Sequence, residues 1–270
     1  MRHLTESPSV AVERALTILE MVAHHPNGMS NAEISRQLEI PKSSASYILR
    51  TLEHRSYLRR DGESGRYRLG LQVLSLSRGA LTGLDVREVG LPFMRTLVEK
   101  TGLTCHLAIL DSLEAVYIEK VEAPGFIKMD TWIGRRMDVH TTAVGKALVA
   151  YIPQEELDRI IAARGLSKHT GRTVTNAAKF YKDLEQVREL GYSMDDEENN
   201  LGVRCIGAPI FNESGHAEAS IGLSGPLHRV NSETLPRLIE QVKETARRIS
   251  GQLGYPGAGG RRSSVARIAL

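Results

Sequence analysis

The chain is 270 residues long, 41% hydrophobic and 25% charged, with a formal net charge of +3. That length allows one or two domains at roughly 100–200 residues each, and the composition excludes wholesale disorder, collagen-like repeats and a small disulfide scaffold. No run reaches the roughly 18 apolar residues that cross a bilayer and no apolar stretch marks a signal peptide; with two distant cysteines, Cys105 and Cys205, a reduced cytoplasmic protein without membrane contact is expected.

Val10 to Ala23 has helical spacing, with Val12, Ala15, Leu16, Leu19 and Val22 on one stripe before Pro26-Asn27-Gly28 stops it. Ser30-Asn31-Ala32-Glu33 is a capping box: the hydroxyl can accept from the Glu33 amide while the carboxylate reaches back. Pro41 suits the first turn of a third helix that runs to about His54, with Ala45, Ile48, Leu49 and Leu52 inward. Tyr57–Arg60 and Arg66–Leu69 flank Asp61-Gly62-Glu63-Ser64-Gly65, a hairpin with turn residues at its tip.

Three short helices and a basic hairpin make a winged helix-turn-helix. Charge supports a phosphate-facing surface, because residues 41–68 hold seven Lys or Arg against three acidic residues, whereas 71–256 hold 22 against 24. A second helix of this kind fits a major groove about 12 Å wide. Its exposed face offers Lys42, Ser43, Ser44, Ser46, Tyr47 and Arg50, and the wing offers Arg59, Arg60, Arg66 and Arg68. A three-helix module that binds protein instead of DNA is the alternative for this segment alone.

Leu71 to Leu81 continues as a helix, and Asp85-Val86-Arg87-Glu88 opens another with Val89, Phe93, Leu97 and Val98 on one face, ending at Thr101-Gly102. The boundary between domains is expected within 70–85. Beyond it, Thr104–Leu110, Ala115–Val121, Phe126–Thr131, Tyr192–Asp195, Val203–Phe211 and His216–Leu223 read as strands. His140–Tyr151 is a loop entering a helix, Pro153–Ala162 a short helix, Asn176–Leu190 a helix closed by Gly191, and Asn231–Leu253 a long final helix. The mixture predicts an α+β domain with an antiparallel sheet flanked by helices. Residues 256–270, rich in Gly, Ser and Arg, read as a disordered tail.

Catalytic and metal signatures fail. Ala143-Val144-Gly145-Lys146-Ala147 resembles a P-loop, but His140 stands where the first glycine belongs and Ala147 replaces the magnesium-binding hydroxyl. There is no HExxH, no paired histidines with a cysteine cluster and no GxSxG. Neither a cofactor nor a metal is expected. The hydroxyl-rich turn His140-Thr141-Thr142 leads into an apolar helix whose first amides favour an anion such as a carboxylate, or the threonine simply caps a structural helix. His106 is assigned to a strand core. The run Asp195-Asp196-Glu197-Glu198 is a solvated loop from which one carboxylate can turn inward.

These motifs together resemble the IclR family of bacterial transcription regulators, over about residues 8–255. The resemblance is carried by Val10-Ala11-Val12-Glu13-Arg14-Ala15-Leu16, Ile40-Pro41-Lys42-Ser43-Ser44 and Tyr67-Arg68-Leu69-Gly70. In the second half it is carried by His140 to Ala147, Gly202 to Ile210, and Leu223-Ser224-Gly225-Pro226. It implies a winged helix-turn-helix over 8–70, a linker helix over 71–84 and a GAF-like effector domain over 85–255. It implies double-stranded operator DNA as partner, self-association as a dimer or a dimer of dimers, and a small organic or aromatic carboxylic acid as effector. Carried over by position, the effector pocket is lined by Phe126, Met129, Met137, Ala143 and Val144, with polar contacts from the turn amides near Thr142–Val144 and from Asp195, Cys205 and Ser224. Gly222 departs from a pattern that often places serine there, which removes one hydroxyl. Repression is expected because it is common among similar proteins. The rivals are an enzyme built on 104–253 and a protein-interaction adaptor, the latter lacking a steep salt dependence of DNA affinity.

Overall fold

The computed structural model describes residues 8–81, 85–123 and 129–258, and the chain divides into two compact units, 1–83 and 84–270. The first unit holds α1 (Val10–Ala23), α2 (Asn31–Gln37), α3 (Lys42–His54), the hairpin β1 (Leu58–Arg60) and β2 (Tyr67–Leu69), and α4 (Gln72–Leu81). Ile18, Val22, Ile34, Ala45 and Leu49 form its core, with Leu58 and Tyr67 of the hairpin packed among them. Pro41 caps α3 one residue before the position expected for it, extended, with its carbonyl accepting from the Ala45 amide at 3.1 Å.

The capping box of α2 forms as the sequence indicates. Ser30 Oγ accepts from the Glu33 amide at 3.3 Å while Glu33 Oε2 accepts from the Ser30 amide at 2.7 Å. Arg66 of the wing then binds the same carboxylate at 2.9 Å and the Gly28 carbonyl at 3.0 Å. One carboxylate therefore starts a helix and fastens the hairpin. The Ser30 amide and hydroxyl, followed by Arg66, hold the Glu33 pKa down at about 2. A depressed carboxylate supports the fold above its unfolded pKa, and that support is lost as pH falls toward the folded value.

The second unit begins with α5 (Asp85–Thr101) and builds one antiparallel sheet of β3 (Thr104–Asp111), β4 (Glu114–Val121), β5 (Arg136–Met137), β6 (Ser193–Asp196), β7 (Val203–Phe211) and β8 (Ala217–Pro226), in the order β5-β4-β3-β8-β7-β6. Helices α6 (Ala143–Val149), α7 (Gln154–Arg164) and α8 (Ala177–Leu190) share a core on one face. Helix α8 is bounded as the sequence indicates, with Asn176 Oδ1 accepting from the Lys179 amide at 3.0 Å and Gly191 left-handed at φ 74°. α5 and the final helix α9 (Leu235–Gln252) pack together on the opposite face, where Gly90 lies against Leu107 and Ile249.

Four expectations change. Of the strand expected over Phe126–Thr131, residues 126–128 lie outside the described residues and 129–131 are irregular, while Arg136–Met137 (β5) pairs with β4. Lys120 Nζ takes the Met129 and Thr131 carbonyls at 2.9 and 2.6 Å, so an ammonium engages these groups in place of a neighbouring strand. The buried face of α5 is Val86, Gly90, Met94, Leu97 and Val98, while Val89 and Phe93 are half-buried. Phe93 is instead covered by the Arg248 guanidinium, 4.9 Å from its ring centre. α9 starts at Leu235, because Asn231 Oδ1 first accepts from the Glu233 and Thr234 amides in a turn. Pro256–Ala258 is a short 3-10 turn, and the rest of the expected tail lies outside the described residues.

Ser30→Ala should lower the stability of the first unit by about 1 kcal/mol, read as a fall in its urea midpoint. An unchanged midpoint would mean that Glu33 and Arg66 hold the turn without the hydroxyl.

Candidate functional site

Along α3, Lys42, Ser43, Tyr47 and Arg50 are exposed, and Ser44 and Ser46 half-buried. Tyr47 is 67% exposed, with the Arg50 guanidinium 4.8 Å from its ring centre. The guanidinium covers one face of a ring that is otherwise open to water. On the wing, Arg59 and Arg68 are exposed and directly opposite each other in the β1–β2 register. Like charges in that arrangement repel, and an anion between them relieves the repulsion. Arg60 is exposed and bonds the Gly65 carbonyl at 3.4 Å, and Arg66 is half-buried in its pair with Glu33.

The second unit carries a cavity of about 250 Å³. Strand register explains it. Asp195, Cys205, Ser224 and Thr104 stand opposite one another across β6, β7, β8 and β3, and the next row on the same face is Ser193, Gly207, Gly222 and His106. A Cβ on Gly207 would stand 2.7 Å from the Ala143 carbonyl oxygen, and one on Gly222 2.7 Å from Val144 Cγ1. The bare backbone at both positions lets the start of α6 settle onto the sheet. Two hydroxyls hold it there: Ser193 Oγ donates to the Ala143 carbonyl at 2.5 Å and Ser220 Oγ to the Val144 carbonyl at 2.9 Å. Thr142 Oγ1 accepts from the Gly145 amide at 3.2 Å, which leaves the Ala143 and Val144 amides without intrahelical partners.

Met129, Met137, Thr142, Ala143, Val144, Asp195, Cys205, Gly222 and Ser224 all line this cavity. Phe126 lies outside the described residues. The lining also includes His106, Tyr117, Asp130, Thr131, Arg135, Asn199 and Asn200, which makes it more polar than Met129 and Met137 alone indicate. His106 is 1% exposed, stacked on Tyr117 at 4.6 Å and bonded to Thr131 Oγ1 at 2.7 Å. Burial, then the nearby Lys120, lowers its pKa to about 3, so it is a neutral wall of the cavity. Its signal in the sequence was the polar alternation Thr104, His106 on one strand face.

Asp195 is 3% exposed, and its Oδ1 accepts from the Glu198 and Asn199 amides at 2.7 and 3.2 Å. Burial outweighs those bonds and raises its pKa to about 6. The run that follows is not a solvated loop. Asp196 binds Arg204 at 2.7 Å, Glu197 binds Arg172 at 2.9 Å, and the buried Glu198 binds Lys146 of α6 at 2.6 Å. Each carboxylate has a cation supplied from a different segment, which sequence spacing does not reveal.

The profile of the bacterial transcriptional regulator IclR C-terminal domain matches residues 78–251, and that of the IclR helix-turn-helix domain matches 11–62. The chain belongs to the IclR family of bacterial transcriptional regulators. It is 34% identical to the HTH-type transcriptional regulator XynR of Escherichia coli K12 over 246 residues, 91% of this chain and 98% of that one. It is 35% identical to the HTH-type transcriptional repressor AllR of the same strain over 244 residues, 90% of each chain. Among solved structures, the Thermotoga maritima IclR superposes with a TM-score of 0.76 at 31% identity, covering 90% of this chain and 98% of its own. An IclR homologue of Microbacterium hydrocarbonoxydans, crystallised with 4-hydroxybenzoate, shares the fold at a TM-score of 0.78 and 23% identity, covering 90% and 98%.

Within the IclR pattern the glycine at 222 has a physical reason: Val144 fills the space a serine side chain would need. Gly222→Ser should destabilise the second unit by about 1–3 kcal/mol through overpacking, and Val144→Ala should recover most of that loss. Additive effects in thermal unfolding would contradict the contact. For Asp195, a carboxyl whose folded pKa exceeds its unfolded value of 3.8 binds more protons when folded, so its contribution to stability falls as pH rises through about 4 to 6. The melting temperature of Asp195→Asn minus that of the natural chain should therefore rise over this window, by the equivalent of about 3 kcal/mol at most. A flat difference would contradict a buried, proton-holding carboxyl.

Proposed function

We propose that this IclR-family regulator is a homodimeric, cytoplasmic repressor of transcription, released or reinforced at its operator by a small organic carboxylic acid in the second unit. The observation that carries the effector reading is the gathering of nine sequence-predicted residues around one cavity. Repression is supported by the kinship with AllR, named a repressor. In this reading residues 8–70 bind DNA, 71–84 link and 85–255 bind the effector. Lys42, Ser43, Ser44, Ser46, Tyr47 and Arg50 meet the major groove, Arg59 and Arg68 meet phosphates, and Arg60 and Arg66 shape the wing. The acid acts only through a difference in affinity between DNA-competent and incompetent arrangements of two readers. Self-association has support in the exposed apolar side chains Val12 and Leu16 of α1 and Leu74 and Leu76 of α4, with Leu71 beside them at 77% exposure. Such side chains favour a protein partner, and a second copy is the one proposed.

Fluorescence anisotropy of the full chain on its own upstream intergenic DNA tests the reader. Specific binding should weaken steeply with salt. Arg68→Ala should reduce the salt slope by about one while leaving the hairpin at least as stable, and Arg50→Ala should weaken operator binding with the fold intact. No preference over scrambled DNA would favour an adaptor instead. Leu74→Glu should shift the chain toward a monomer in sedimentation; an unchanged mass would move the dimer contact elsewhere.

A further inference from the structure

On a helix of about 3.6 residues per turn, the direction opposite the buried Ala45, Leu49 and Leu52 of α3 falls on Ser43, Tyr47, Arg50 and His54. All four are exposed, and two of them touch: the Arg50 guanidinium lies over the Tyr47 ring, 4.8 Å from its centre. Among the described residues no carboxylate or carbonyl takes Arg50, whereas Arg60 and Arg66 of the same unit are bound to the Gly65 carbonyl and to Glu33. A guanidinium over a ring gives up one face and keeps its N–H donors, which lie in its own plane. Stacking also restricts the arginine before any partner arrives, which lowers the ordering cost of a later contact. The outermost line of α3 therefore carries a forked donor with no acceptor, held against an aromatic ring.

In the reading given above this line enters the major groove, and the inference rests on that reading. Phosphates border the groove, while base edges form the floor that the outermost side chains of a helix meet. A forked donor finds two acceptors side by side on guanine, O6 and N7. Adenine offers one acceptor and one donor there, thymine one acceptor and cytosine a donor. The Tyr47 ring beside it offers carbon, and the apolar group of the major groove is the thymine methyl. Base pairs are about 3.4 Å apart, so two side chains in contact address neighbouring pairs. We infer that Tyr47 and Arg50 form a two-base reader, with Arg50 on a guanine and Tyr47 on the methyl of a thymine in the adjacent base pair. Tyr47 is at the same time a positioning residue, because its ring holds the plane in which Arg50 donates. Loss of the ring therefore weakens the guanine contact as well as the thymine one.

The test uses duplexes selected from random DNA by the full natural chain, with base replacements that each alter one group. 7-Deazaguanine lacks N7, inosine lacks only the minor-groove amino group of guanine, and deoxyuridine lacks the thymine methyl. In fluorescence anisotropy, 7-deaza replacement at one guanine should weaken binding about tenfold and inosine there should not. Deoxyuridine for the adjacent thymine should weaken binding about threefold. Arg50→Ala should erase the 7-deaza penalty. Tyr47→Ala should erase the deoxyuridine penalty and shrink the 7-deaza penalty, and Tyr47→Phe should keep both. Each variant is first checked for cooperative thermal unfolding. If the natural chain selects a sequence but no 7-deaza penalty disappears in Arg50→Ala, the base assignment is overturned while the DNA reader stands. A 7-deaza or deoxyuridine penalty that Tyr47→Ala leaves whole overturns the two-base reader. If no sequence is selected from random DNA, the reader itself falls and the inference with it.

Discussion

The close seating of α6 on the sheet governs the second unit. Gly207 and Gly222 leave two adjacent strands without side chains at the point where the helix begins, and contact there is tight enough that a single Cβ on either would collide. Ser193 and Ser220 convert proximity into registry by donating to successive carbonyls of the helix. Lys146, one turn later, is tied to Glu198. That pair places Glu198, and with it the amides that fold onto Asp195. The cavity is therefore what remains when a helix start is held against bare backbone and a charged loop is wrapped beside it. Each serine thus adds a second donor to a carbonyl that also accepts within the helix, so removing it loosens the seat of α6 and leaves the helix itself intact.

The first unit uses the same economy in a different chemistry. A carboxylate that caps α2 also receives the wing arginine, so helix-turn-helix and hairpin share one electrostatic anchor. The exposed arginines at 59 and 68 face each other across the strand pair. Like charges in register cost a small amount of stability, and in the proposed reading phosphate is the anion that offsets it.

Much of this was legible in the residues because it depends on local hydrogen bonds. Ser30 with Glu33, Asn176 and Gly191 each mark a helix end through groups a few positions away, and the strands of Val203–Phe211 announce themselves by composition. What escaped depended on distant partners. The true buried stripe of α5 could not be chosen over Val89 and Phe93 without knowing that Arg248 covers the phenyl ring. The acidic run at 195–198 looked solvent-facing because Arg172, Arg204 and Lys146 approach it from elsewhere in the chain. Arg135 and His106 lay in the sequence as an ordinary loop cation and an ordinary strand histidine; only the order β5-β4-β3-β8-β7-β6 sets them in one cavity with Asp195.

The central claim is that cavity and DNA reader are energetically coupled, and coupling of binding free energies is reciprocal. The direct measurement is the affinity of the full chain for an acid, determined with and without saturating operator DNA, beside the operator affinity with and without saturating acid. Both ratios should be equal and differ from one, by about 5- to 150-fold. An acid that binds equally well in the presence and absence of operator would contradict the coupling, whatever else the cavity holds.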